Sequence, residues 1–222
     1  MATQEPSSPD VVLLPSIAAT SPTVVVKVGT EGKEYILHTE LLKHHSGYFC
    51  GALSGAFKET DVGVVPITDV EIDAFDVFVD WIYRGTVTTD QFLEAFCKYQ
   101  LVATRSYILA DRLLVPGLKS ALMDTYFNFY VTRKQFRPGC GMIVLLCCNL
   151  PEEDPSIRLC VDMWSTQKTI YKLWEDEKTE VLDLSQGFLV RLMLRMNEVG
   201  KKPPSVQTFK REDYNERTRV GG

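Results

Sequence analysis

Three histidines and six cysteines are the residues of this 222-residue chain best suited to acid–base, nucleophilic or metal chemistry. His38 lies between Leu37 and Thr39 at the end of a strand pattern, where an imidazole is most often a packed, hydrogen-bonding group. His44 and His45 are adjacent, so on a helix they point to different faces and do not chelate as an i, i+4 pair does. The cysteines are Cys50, Cys97, Cys140, Cys147, Cys148 and Cys160. They lack the paired two-residue spacing of zinc knuckles, and neighbouring Cys147 and Cys148 do not easily share one tetrahedral ion. A thiol enzyme or redox protein built on Cys147-Cys148 would have no local histidine to support it. Gly51-Ala52-Leu53-Ser54-Gly55 has the composition of a nucleophile elbow, but Ser54 abuts Gly55 where that motif needs an intervening residue. Neither a Gly-x-x-x-x-Gly-Lys-Ser/Thr phosphate loop nor a Gly-x-Gly-x-x-Gly fingerprint appears. The sequence therefore names no catalytic group, no metal ligand and no cofactor, and the expectation is a protein that is not an enzyme.

Composition narrows the remaining classes. Hydrophobic residues make up 45% and charged residues 24%, as in an ordinary globular chain with room for one sizeable domain plus a small subdomain. The 24 basic residues are outweighed by 29 acidic ones, for a net charge of −5, which argues against a nucleic-acid partner. No apolar run approaches the roughly 20 residues that span a bilayer, so no membrane is expected. Without a secretory signal, the even cysteine count reads as reduced thiols in the cytoplasm or nucleus rather than as a disulfide framework.

The elements that would hold any site are legible in turn. Residues 1–22, rich in Ser, Pro, Ala and Thr, read as a disordered leader, whose Val11–Leu14 cluster could add a strand to a partner's sheet. Val24–Val28 and Lys33–His38 flank Gly29-Thr30-Glu31-Gly32 and predict a β-hairpin. A helical turn follows at Leu41-Leu42, and Ser46 is placed to cap a helix over 47–53. Gly63–Ile67 reads as a strand, and Thr86–Thr89 as a brief one. Between them Phe75, Phe78, Val79 and Ile82 make one helical stripe, with Asp69 as the expected cap and Gly85 as the stop. Gln91–Leu101 is apolar enough for a helix, and two further helices are expected to meet at Pro116, which suits a first turn. Met142–Cys148, a segment capped by Ser156 and running through Trp164 to Trp174, and a segment capped by Ser185 predict a helical extension over 131–199. From 200 to 222 the chain is poor in apolar residues, carries six basic residues against three acidic ones, and is expected to be a disordered tail.

The order of these pieces resembles a BTB/POZ domain over residues 24–130, with the domain bounded at 23–130. The resemblance rests on Tyr35-Ile36-Leu37-His38, Leu41-Leu42, Ser46-Gly47-Tyr48-Phe49 and Phe57-Lys58-Glu59. It continues through Val65-Pro66-Ile67, Trp81-Ile82-Tyr83, Leu109-Ala110-Asp111-Arg112-Leu113 and Val115-Pro116-Gly117-Leu118. It is similar to the short BTB proteins common in fungi. The resemblance implies an α+β fold, a small β-sheet capped by a cluster of α-helices, here followed by a short α-helical extension like the post-BTB bundle of relatives. It also implies a protein–protein interaction module that forms a homodimer and recruits a client. In many relatives the domain docks on the third cullin of a ubiquitin ligase through a hydrophobic-x-Glu tripeptide, and Phe57, Lys58 and Glu59 match it in place. A BTB scaffold or transcription-linked regulator without cullin stays open beside that adaptor reading. Thr23 (or Pro22) and Thr39 stand where BTB zinc-finger repressors carry an acid and a base, so the charge pair of that class is missing. No zinc finger, kelch, MATH or ankyrin region accompanies the domain.

Overall fold

The computed structural model describes residues 15–18, 20–54, 63–87, 96–132, 137–166, 181–200 and 209–216. A helical turn α1 (Pro15–Ala18) precedes strands β1 (Thr23–Val28) and β2 (Lys33–His38). Helices α2 (Thr39–His45) and α3 (Gly47–Ala52) lead to β3 (Val64–Ile67) and α4 (Ile72–Arg84). Then come α5 (Phe96–Arg112) and α6 (Pro116–Phe127), the latter continued by a π-helical turn, Asn128–Thr132. The extension is α7 (Cys140–Asn149), α8 (Pro155–Ser165) and α9 (Gln186–Gly200), and a 3-10 turn, Arg211–Tyr214, lies beyond it.

The sheet has the order β2-β1-β3. β1 pairs antiparallel with β2, Val26 opposite Tyr35, and parallel with β3, Val26 opposite Val65. Strand period two sends Val24, Val26 and Val28 inward together, while Lys27 pairs outside with Glu34 at 3.0 Å. The buried stripe of α4 closes on this face, with Phe75 5.3 Å from Phe78 and Phe78 stacked at 6.1 Å on Phe49 of α3. α5 packs against α4, α6 and α7, and so joins the sheet-bearing half to the extension, where α8 packs on α9. This is the α+β arrangement expected, a small sheet capped by helices.

Several local expectations change once tertiary partners are in place. Asp69 does not cap α4; Glu71 holds the N-cap position, and the Asp69 carboxylate instead takes Arg112 at 2.5 Å. Asp154, not Ser156, caps α8, accepting the Ser156 N–H at 2.9 Å and the Ser156 hydroxyl at 2.6 Å. A carboxylate just ahead of the first turn is the stronger acceptor for the free donors of that helix end. The two helical segments expected on either side of residue 101 are one helix, α5, and Thr86 and Val87 lie outside any strand. Two segments expected to belong to disordered ends are ordered where they touch the core. Ala18 is buried in a turn packed on α2, and 209–216 is docked on α6 and α8 with Tyr214 buried. Val11–Leu14 and the segment 167–174 lie outside the described residues. Ser46 and Ser185 do cap as expected, accepting the N–H groups of Phe49 and Phe188, each at 3.2 Å.

The α5–α6 junction depends on a close approach. A Cβ on Gly117 would lie 2.8 Å from the Trp81 indole, whose ring centre is also 5.0 Å from that of His45. Gly117→Ala should therefore cost a net of about 1–2 kcal/mol, because overpacking outweighs the gain in helix propensity. Denaturant unfolding reads this; an unchanged midpoint would mean that Trp81 can yield.

Candidate protein-binding surfaces

The residues with chemical potential are taken up by packing. The His38 Nδ1 lies 2.8 Å from the Tyr83 hydroxyl, which also accepts the His38 backbone N–H at 3.3 Å. Burial, then the neighbouring His44, lowers the His45 pKa. Cys140 and Cys160 are buried, and burial pushes the Cys160 thiol well up. Cys147 is half-buried and also raised, with burial outweighing a hydrogen bond from Ser185, while Cys148 and Cys50 are exposed. A raised thiol pKa keeps Cys147 in its unreactive protonated form near neutrality. Asp111, Asp154 and Glu216 bring carboxylate oxygens within 4.8 Å of one another, a spacing that could suit a cation. The cation there is Lys119, whose Nζ lies 2.6, 3.0 and 2.7 Å from the three in turn.

Two surfaces stand out instead. The first is a corner where α5 ends against the start of α3. Val115 N–H bonds Ala110 C=O at 2.8 Å and Leu114 N–H bonds Asp111 C=O at 3.1 Å, the paired closure of a Schellman motif. The left-handed residue that motif requires is Leu114, at φ 54°, where glycine would be free of strain and leucine costs about 1 kcal/mol. The turn's carbonyls then feed the donors of α3: Leu114 C=O takes the Gly47 N–H at 3.0 Å and Leu113 C=O the Tyr48 N–H at 3.2 Å. The Ser46 hydroxyl donates to Leu113 C=O at 2.6 Å. A Cβ on Gly47 would come within 3.0 Å of the Leu114 side chain, so only glycine admits this approach without a shift. Leu114 is 61% exposed, and Tyr48 beside it 40%.

The second surface is a groove between α6 and α8 that is filled by 209–216, here called the strap. Tyr214 is buried in it, 5.9 Å from the Phe127 ring, with its hydroxyl donating to Asp162 at 2.7 Å. Arg158 donates to the backbone carbonyls of Asp213 and Asn215 at 2.8 and 2.7 Å. Arg211 pairs with Asp124 at 2.5 Å, and Glu216 with Lys119. Burial by itself would lower the Lys119 pKa, but its hydrogen bonds to Asp111 and Glu216 and the Asp154 charge outweigh that and raise it. Tyr107 shares the site, donating to Asp154 at 3.1 Å with the Lys119 ammonium 5.3 Å from its ring centre.

Residues 19–123, just under half the chain, match the BTB/POZ domain family. The chain carries a BTB/POZ domain. The Kelch repeat and BTB domain-containing protein 4 of Homo sapiens, of Mus musculus and of Pongo abelii is each 36% identical to it over 62 residues. That stretch is 28% of this chain and 12% of each relative's length, so the chain spans only a small part of these relatives. The Leu114 corner lies wholly within the BTB/POZ match, which ends inside α6. One wall of the strap groove, α6, therefore belongs mainly to the BTB/POZ domain, and the other, α8, to the helical extension. The tripeptide Phe57-Lys58-Glu59 lies outside the described residues.

Neither surface is legible in the sequence. Leu114 gives no signal because its conformation is a glycine's. Asp154, Arg158 and Asp162 share one helix face by their four-residue spacing, but Lys119 and the strap meet them only in the fold. The sole hint of the strap is a pair of aromatics, Phe209 and Tyr214, in an otherwise polar tail.

The strap's pH response comes from Tyr214. Burial first, and then the Asp162 charge, push its phenol well above the ordinary range. An undocked Tyr214 ionises near pH 10 while the docked one stays neutral, so docking is at full strength below about pH 10 and is lost progressively above it. Lys119, itself raised, remains charged through the start of that window. Hydrogen exchange at Arg211–Tyr214 should rise above about pH 10 relative to a core reporter such as Phe78. In Tyr214→Phe, protection should be weaker at neutral pH and insensitive to this titration; an unchanged pH dependence would place the cause elsewhere.

Proposed function

We propose that this chain is a non-enzymatic BTB/POZ interaction protein that self-associates and recruits a partner, in the manner of a substrate adaptor for a cullin-based ubiquitin ligase. BTB/POZ domains are protein–protein interaction modules. The observation that carries the self-association reading is the Leu114 corner. A large apolar side chain is held in a strained conformation and still points out beside exposed Tyr48, and such strain persists where the surroundings over-determine it. An exposed aliphatic–aromatic pair on a backbone locked by three inter-element hydrogen bonds has the makings of an interface hot spot. Its fitting occupant is the same corner of a second copy, since a two-fold interface sets one patch against itself. The cullin part rests on Phe57-Lys58-Glu59, an aromatic two residues ahead of an acid in the sequence between α3 and β3. Action in the cytoplasm or nucleus belongs to the same proposal.

Light scattering with purified third-cullin N-terminal domain tests both parts in one experiment. The chain should run at twice its monomer mass, and Tyr48→Asp with Leu114→Asp should return it to monomer, as loss of interface anchors worth about 2 kcal/mol or more would. A wild-type monomer would end the self-association reading. Capture of cullin by the dimer, abolished by Phe57→Ala with Glu59→Ala, would support the adaptor; a dimer that ignores cullin would leave a BTB scaffold.

A further inference from the structure

We propose that the groove between Pro116–Phe127 and Pro155–Ser165 is a recognition site for a partner peptide of the strap's own chemistry, Arg-x-x-Tyr-x-Glu, which enters by displacing the strap. This deepens the partner-recruiting reading, on which it rests, by giving the module a client site. The pattern is that of Arg211, Tyr214 and Glu216.

The strap meets the groove as a bound peptide does. It has one short turn and one deeply buried side chain, Tyr214. Around that anchor the contacts are hydrogen bonds and ion pairs at the rim, the anatomy of a peptide interface rather than of a core. Arg158 reads the backbone, since both of its bonds go to carbonyls that any peptide would offer. Direction and register come from the ends: Arg211 meets Asp124 and the Ser120 hydroxyl at 3.3 Å, and Glu216 meets Lys119.

Losing the strap strands neither Lys119 nor Asp162, although Arg158 gives up both of its carbonyl bonds. Lys119 keeps Asp111 and Asp154, and Asp162 keeps Arg195 at 2.5 Å. Removing one partner of a buried pair is severe only when the other is left alone, and here neither is. The strap moreover leaves the site incompletely used. A pocket of about 170 Å³ remains between the strap and Tyr107, Pro116, Lys119, Ser120, Met123 and Pro155. The buried Nε of Arg158 has no acceptor among the described residues. A partner with a larger side chain and one further acceptor would fit better than the chain's own segment.

Fluorescence anisotropy with a labelled peptide of residues 209–216 tests this on the full chain. In wild type the tethered strap competes at an effective concentration on the order of millimolar, so the added peptide binds weakly. Tyr214→Ala with Glu216→Ala should open the site and tighten peptide binding about tenfold or more, and adding Arg158→Ala should remove that gain. If the double variant fails to fold, Tyr214→Phe, which deletes only the hydroxyl bond to Asp162, should give a smaller gain in the same direction. Equal binding by wild type and folded strap variants would overturn the proposal. So would a wild-type dimer that Tyr214→Phe alone abolishes, because the groove would then be serving strap exchange between copies. Peptide binding is read separately from cullin capture and from the Tyr48–Leu114 contact, so failure of this proposal and failure of the partner-recruiting reading are told apart.

Discussion

The domain half of the molecule depends on how the first N–H groups of Gly47–Ala52 are satisfied. A helix start leaves its first donors without intrahelical partners, and burying them unpaired costs more than any one contact returns. Here a side chain, the Ser46 hydroxyl, and two main-chain carbonyls from the end of Phe96–Arg112 take three of them in succession. One helix end thus closes another, supplying acceptors that the second helix would otherwise leave unmet. The arrangement requires Leu114 in the left-handed region and glycine at position 47. It fixes Phe49 over Phe78, and through that stack the inner face of the sheet.

A comparable constraint organises the other half. Lys119 is the one buried ammonium among the described residues, and it is held by acids from three places: the end of α5, the cap of α8 and the strap. Buried charge contributes little net stability when complete, because desolvation offsets attraction, but it is intolerant of rearrangement. Its effect here is positional. Asp154 cannot both cap α8 and reach Lys119 unless the extension sits at one angle on the BTB/POZ domain. The Tyr107 hydroxyl on the same carboxylate tightens that choice.

These two constraints give the surfaces different characters. The Leu114 corner is apolar, rigid and built within one domain, which suits a permanent contact. The strap groove is polar, lies where domain and extension meet, and keeps Lys119 and Asp162 paired when emptied, which suits exchange. A module that dimerises through one surface and recruits through the other would keep the two events energetically separate.

The sequence by itself determined the elements whose signals are periodic or local. The hairpin, the Phe75–Ile82 stripe, the caps at Ser46 and Ser185 and the break at Pro116 are visible because period, propensity and turn chemistry act within a few residues. The ordered recurrence of family residues carried the BTB/POZ fold as well. Tertiary structure alone decided the rest. Asp69 and Ser156 fit the local rule for a cap, yet Arg112 claims one and Asp154 displaces the other, because a charged partner outcompetes a neighbouring N–H in the first case and a carboxylate outcompetes a hydroxyl in the second. Position 114 takes a glycine's conformation without a glycine, since Gly47 and Ser46 hold it from 67 residues away along the chain. The tail reads as disordered because it is polar, and is ordered at 209–216 because its partners, Lys119, Arg158 and Asp162, are contributed by helices that come together only on folding.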